Sequence, residues 1–106
     1  MSVYRIQLNK IPNQAGSFNI TDKNDNTYSI DYSIRLLTNY DLAITISING
    51  VVYSQSKIIR DRMPLLLNNI LGGNLYFKDL YGNKDPDYNQ FNERYVFCFD
   101  TEYELG

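Results

Sequence analysis

Tyr28-Ser29-Ile30-Asp31-Tyr32-Ser33-Ile34-Arg35-Leu36, within residues 27–37, and then Leu42-Ala43-Ile44-Thr45-Ile46-Ser47-Ile48-Asn49-Gly50-Val51, decide the fold class. In the first run Tyr28, Ile30, Tyr32, Ile34 and Leu36 fall on one side, with Ser29, Asp31, Ser33 and Arg35 on the other. In the second, Leu42, Ile44, Ile46 and Ile48 alternate with Ala43, Thr45 and Ser47. A period of two is the signature of a strand with one face buried, whereas a helix needs apolar spacings of three and four. Asn49-Gly50 suits a type I′ turn, in which both central residues take positive φ. That hairpin predicts Ile48 opposite Val51 and Ile46 opposite Tyr53, both pairs on the apolar face.

The same alternation extends to either end of the chain. Tyr4, Ile6 and Leu8 alternate with Val3, Arg5 and Gln7 in a first strand, and Phe18 and Ile20 mark a short second one. Pro12-Asn13-Gln14-Ala15-Gly16 between them reads as a turn. Residues 61–73 break the period: Pro64 near the start and Gly72-Gly73 at the end suit a short helical turn, or a loop packed by its leucines. Leu75 and Phe77 then alternate with Tyr76 and Lys78, and a polar loop runs from Tyr81 to Asn92. The final strand sets Tyr95, Phe97 and Phe99 on one face and Cys98 on the other. About seven turn-separated strands predict an all-β fold, a single small barrel or sandwich with one short helical turn or packed loop, as one domain over residues 1–106.

Composition narrows the chemistry. The 106 residues carry 10 Lys plus Arg against 12 Asp plus Glu, a net charge of −2, so the basic footprint of a nucleic-acid binder is missing. No apolar run approaches the ~20 residues of a membrane span. The opening MSVYRIQLNK lacks the apolar core of a signal peptide, so folding in a cytoplasm is expected. A single cysteine excludes an internal disulfide. With no histidine, neither a Cys–His nor a Ser–His–Asp mechanism can be built. Carboxylates, Lys and Tyr are what remain for catalysis.

Three places invite a functional reading. Asp22-Lys23-Asn24-Asp25-Asn26 has oxygen ligands at alternate positions, but Thr27 and Ser33 stand where a calcium loop needs Gly and a bidentate Glu, so the segment reads as a turn. Asp79, Asp85 and Asp87 are three carboxylates close in sequence, and such pairs serve glycoside hydrolysis when one is buried. Gly82 and Pro86 punctuate the stretch, which reads instead as a solvated structural loop, with a weak metal site or a small hydrolase as lesser alternatives. Cys98, flanked by aromatics, reads as packing. The ten tyrosines say more. Tyr40, Tyr81 and Tyr88 lie in loops, where Tyr supplies contact area with a polar tip. They suit a protein interface, the cover of half-wet sheet positions, or stacking platforms for sugar rings in a carbohydrate-binding domain.

In the C-terminal half, Gly73-Asn74-Leu75-Tyr76-Phe77-Lys78-Asp79-Leu80-Tyr81-Gly82, Asp85-Pro86-Asp87-Tyr88 and Asn92-Glu93-Arg94-Tyr95-Val96-Phe97 resemble the small baseplate plug family of contractile-tailed bacteriophages. Pro12-Asn13-Gln14 before a short strand, and Tyr40-Asp41 leading into the hairpin, fit the same pattern. The chain departs from it at Phe91-Asn92 and in the charged stretch from Lys57 to Arg62. The resemblance implies a non-enzymatic structural protein of the virion, without cofactor, metal or catalytic residue. It implies assembly in the host cytoplasm into the tail baseplate, near the hub, the central spike and the distal tail tube, with no contact to nucleic acid or membrane. Asp79, Gly82, Asp85, Pro86, Tyr88, Arg94 and Tyr95 would then be a structural loop motif, with Arg94 paired to a nearby carboxylate. Tyr40, Tyr81 and Tyr88 would be interface residues, and Asn49 and Gly50 the hairpin turn.

Overall fold

The computed structural model describes residues 3–22, 24–66, 71–101 and 103. Seven strands follow one another: β1 (Val3–Ile6), β2 (Gln14–Thr21), β3 (Thr27–Leu36), β4 (Leu42–Ile48), β5 (Val51–Ile58), β6 (Asn74–Asp79) and β7 (Tyr95–Asp100). A 3-10 turn at Tyr88–Gln90 interrupts the last connection. The pairings form two antiparallel sheets, a meander β2-β3-β4-β5 and a three-stranded sheet β1-β7-β6, so the all-β fold is sandwich-like.

The alternating residues meet between the sheets. Ile30, Tyr32 and Ile34 of β3 and Ile44, Ile46 and Ile48 of β4 pack against Leu75, Phe77, Tyr95, Phe97 and Phe99 of the other sheet in one continuous core. Phe97 is the hub of its aromatic contacts. It stacks on Phe77 at 4.7 Å between centroids and meets Tyr32 at 5.7 Å and Phe18 at 6.1 Å edge-on, arrangements that aromatic quadrupoles favour. Residues of opposite parity on β6 and β7 form a second cluster of Tyr76, Val96 and Cys98 on the outer face, covered by Leu80 and Tyr103. There burial raises the Tyr76 phenol to about 12 and pushes the Cys98 thiol up.

Several expectations need correcting. β1 stops at Ile6, and Leu8 is held beyond it by the Asn92 side chain, which accepts from the Leu8 N–H and donates to its carbonyl. β2 begins at Gln14 rather than after a turn at residues 12–16, since Ala15 and Gly16 are strand residues paired with Ser33 and Tyr32. The turn at Asn49-Gly50 has φ of 51° and 84°, with Ile48 opposite Val51 as the dipeptide predicts. Past Ser47↔Val52, however, the register slips and Ile46 faces Ser54, not Tyr53; a second slip puts Ile44 opposite Lys57. Each slip adds one residue to β5, the mark of a bulge. Val51, at 57 % exposure, Val52 and Tyr53 lie at the surface, and only Ser54 of β5 is buried.

The flank between β5 and β6 is closed by the connecting segment. Ile59 N–H bonds Leu42 O at 2.8 Å, Arg62 N–H bonds Phe77 O at 2.7 Å, Leu65 N–H bonds Leu75 O at 2.9 Å, and the Ser54 hydroxyl donates to Leu65 O. Of the two readings for residues 61–73, the described part is the loop: Leu65, Leu66 and Leu71 are buried in the core, while residues 67–70 lie outside the described residues. Asn74 locks this loop. Fully buried, its amide accepts from the Leu66 and Leu75 N–H groups at 3.0 and 2.8 Å and donates to Leu66 O at 2.9 Å. Asn74→Ala leaves those groups unpaired and should lower unfolding stability by about 2–3 kcal/mol. In denaturant titration the midpoint should fall at constant slope; a midpoint that stays put would mean that water or backbone replaces the amide.

Candidate interaction surface

The loops after β3, β5 and β6 are tied together by charge. Asp79, the last residue of β6, is 1 % exposed. Its Oδ1 accepts from Arg94 Nε at 2.8 Å and from the Tyr81 N–H at 2.9 Å; its Oδ2 accepts from Arg94 Nη2 and from the Lys84 N–H, both at 2.9 Å. Arg94 and Asp79 are thus bidentate, the strongest geometry for this pair. The Arg94 guanidinium holds the Asp79 carboxyl well below the usual carboxylate range, against a desolvation effect of opposite sign, and the two backbone N–H groups add to the depression. Arg94 is raised in turn by Asp79. The Arg94 guanidinium also sits 5.2 Å from the centroid of the Tyr95 ring, a cation–π distance.

Gly82 covers this pair. A Cβ there would stand 3.3 Å from Asp79 Oδ2 and 3.5 Å from Arg94 Nη2, so any side chain presses on the ion pair. Asp79 is therefore not part of a solvated loop: four donors converge on it because β6 delivers it beneath the loop it anchors. Phe91, expected in a polar stretch, is likewise fully buried and packs on Phe77 at 5.8 Å between centroids.

Asp85 and Pro86 lie further along. Asp85 Oδ1 accepts the Asp61 N–H at 3.0 Å, and Asp61 Oδ1 accepts the Asp79 N–H at 2.8 Å, so the loop is stitched back onto the β5–β6 connection. Arg60 lies 3.7 Å from Asp85 Oδ2 and bonds both oxygens of Asp41, at 3.0 and 3.4 Å. Arg60 accordingly lowers the Asp41 carboxyl and is itself raised by it. Asp87 caps the 3-10 turn by accepting the Asn89 N–H at 3.0 Å.

These ties position the tyrosines. Tyr40, at φ 67° and 84 % exposed, shares a hollow of about 280 Å³ with Leu42, Pro86 and Tyr88. Tyr81, 77 % exposed, does not line it. The structure thus gathers Tyr40, Pro86 and Tyr88 on one surface, fixed through Arg60 and Asp85, and sets Asp79, Gly82, Arg94 and Tyr95 behind the loop as its anchor. Asn49 and Gly50 lie in the β4–β5 hairpin, where the Asn49 side chain accepts the Ser29 N–H at 2.9 Å. The sequence reading missed Arg60, Asp61 and Asp41 as partners. The signal for Arg60 and Asp61 is the charged stretch from Lys57 to Arg62: Arg60 reaches both Asp41 and Asp85, and Asp61 accepts from Asp79.

Of the segment Asp22–Asn26, Lys23 lies outside the described residues, and the others form a turn held by Asp22. That side chain accepts the N–H groups of Asn24 and Asn26 at 2.8 and 2.9 Å, with Asp25 at φ 64°. Among the described residues, no cluster of three acidic or cysteine side chains is placed to hold a metal ion.

A family model described as cyanophage baseplate Pam3 plug gp18 matches residues 3–102, a span that contains all seven strands and the whole anchored loop. The chain belongs to this baseplate plug family. It is therefore a structural protein of the phage virion and a component of the tail baseplate. No curated protein gives a significant match. Within the plug family match lie both the Asp79–Arg94 anchor and the Tyr40–Tyr88 hollow.

Proposed function

We propose that this chain is a non-enzymatic scaffold piece that joins the baseplate hub, the central spike and the distal end of the tail tube, with its tyrosine-bearing loop end as a contact surface. The observation that carries the reading is the family match across residues 3–102. The geometry supports it. Asp79, Asp85 and Asp87, the acids suited to hydrolytic chemistry, accept backbone N–H groups that hold loops, and Tyr40 and Tyr81 project large apolar area with polar tips into solvent. A rigid loop loses little freedom on docking, so its contact area converts more fully into affinity.

Native mass spectrometry of the chain co-expressed with the proteins of its flanking genes tests this. A complex of fixed stoichiometry with tube-like or hub-like neighbours is expected, and Tyr40→Ala with Tyr81→Ala, both at exposed positions, should weaken it while leaving the fold intact. A chain that remains alone with every neighbour would overturn the proposal.

A further inference from the structure

The two flanks of the sandwich differ. The β5–β6 flank is closed by residues 59–66, whereas between β1 and β2 no segment intervenes among the described residues. Phe77 and Leu75 give their carbonyls to Arg62 and Leu65, so their backbone groups point away from β7. In an antiparallel ladder both groups of a residue point the same way, and the direction alternates along the strand. Tyr76 therefore bonds its partner Cys98, and Phe97 and Phe99 turn toward β1, where they face Ile6 and Tyr4. Arg5, between those two, directs its N–H and C=O outward.

β2 has a free row of the same kind. The Asn49 N–H bonds Ser29 O, so odd-numbered residues of β3 face β4 and even-numbered ones face β2. Phe18 and Ile20 pair with Ile30 and Tyr28. Ser17, Asn19 and Thr21 are left with their backbone groups directed outward. The two ladders, unfilled among the described residues, border one groove of about 580 Å³, lined by residues 4–7 and 17–21 together with Tyr32 and Phe99. Tyr4 stacks over Phe99 at 6.5 Å within it.

We propose that this groove is a strand-accepting seam, filled in the assembled baseplate by an extended segment of another protein. The inference rests on the baseplate reading and adds the mode of contact. Two rows of alternating donors and acceptors are satisfied together by one other backbone strand, the chemistry of strand addition. The four residues of β1 set the length at about 13 Å, at ~3.3 Å per residue. The apolar lining of Phe18, Ile20 and Phe99 calls for apolar side chains at alternate positions of the incoming strand. Arg5 is the one charged residue of the lining and has no ion pair among the described residues, so a carboxylate on the incoming strand would complement it.

Amide hydrogen exchange read residue by residue, on the purified chain and on the same chain within isolated tails, tests the seam. In the purified chain the amides of Arg5, Ser17 and Asn19 should exchange fast while those of Tyr4, Ile6, Phe18 and Ile20 are protected. In tails the fast set should slow by about a hundredfold. If it stays fast in tails that contain the chain, the seam is wrong and the baseplate reading stands. If the chain is absent from tails, both fall. If the fast set slows in the purified chain as its concentration rises, the occupant is a second copy and the proposed partner is overturned.

Discussion

Phe97→Ala should lower unfolding stability by about 3–5 kcal/mol, the range for truncating a fully buried phenylalanine. Set against the 5–15 kcal/mol typical of a folded chain, this is a large share, equal to a fall in Tm of roughly 15–30 °C at this size. The effect is large because Phe97 joins the sheets: it comes from β7, stacks on Phe77 of its own sheet, and meets Tyr32 and Phe18 of the other edge-on. Its removal costs the transfer of a ring and opens a cavity that two separate sheets cannot both collapse to fill. Phe97→Leu, which keeps most of the volume, should cost well under half as much. Thermal unfolding of both variants checks this; a loss below about 1 kcal/mol for the alanine variant would mean that the sheets do not meet at this ring.

Asp79→Asn should destabilise the chain by roughly 10–20 °C in Tm at neutral pH, because an amide offers one acceptor oxygen where four donors converge and leaves Arg94 without its counter-charge. The pH dependence follows from the depressed carboxyl of Asp79. Its folded-state value lies below the ordinary 3.8, so the stability it contributes is fully present above about pH 5 and is lost as pH falls through 4 toward the folded value. The gap between the native chain and Asp79→Asn should therefore be widest at neutral pH and narrow on acidification below pH 4. Circular dichroism melts from pH 7 to pH 2.5 read the gap directly. A constant gap would show that the loss comes from shape rather than charge.

The parts of the molecule legible in the sequence are those where one physical rule acts alone. β3 and β4 are central strands with one face on the core, so burial and alternation coincide, and Asn49-Gly50 fixes the turn between them. β5 is different. Its register slips twice, with Ser56 at φ 48° and its N–H taken by the Thr45 hydroxyl, and nothing in Val51-Val52-Tyr53 signals that these apolar side chains will face solvent. Gln14-Ala15-Gly16 looks like a turn because Ala and Gly are poor strand formers. It is a strand, paired with Ile34, Ser33 and Tyr32 of β3, in which Gly16 leaves room for the Tyr32 ring, whose hydroxyl would lie 2.6 Å from a Cβ at that position. The loop motif was legible as a set of residue types, Asp79 to Tyr95, but not as a geometry. That Asp79 is buried while Asp85 and Asp87 are not depends on which one β6 delivers beneath the loop, and the Arg60–Asp41 tie joins residues 19 apart through the meander.

The closure of one flank by residues 59–66 limits how many neighbours this chain can have through its sheets. A β-protein with two free edges can add copies end on end into an open fibre. Here the outer carbonyls of Leu75 and Phe77 in β6 are already spent on Leu65 and Arg62, so the three-stranded sheet can extend from its β1 edge alone. That sheet has a valence of one: it can terminate a stack of strands but cannot propagate it.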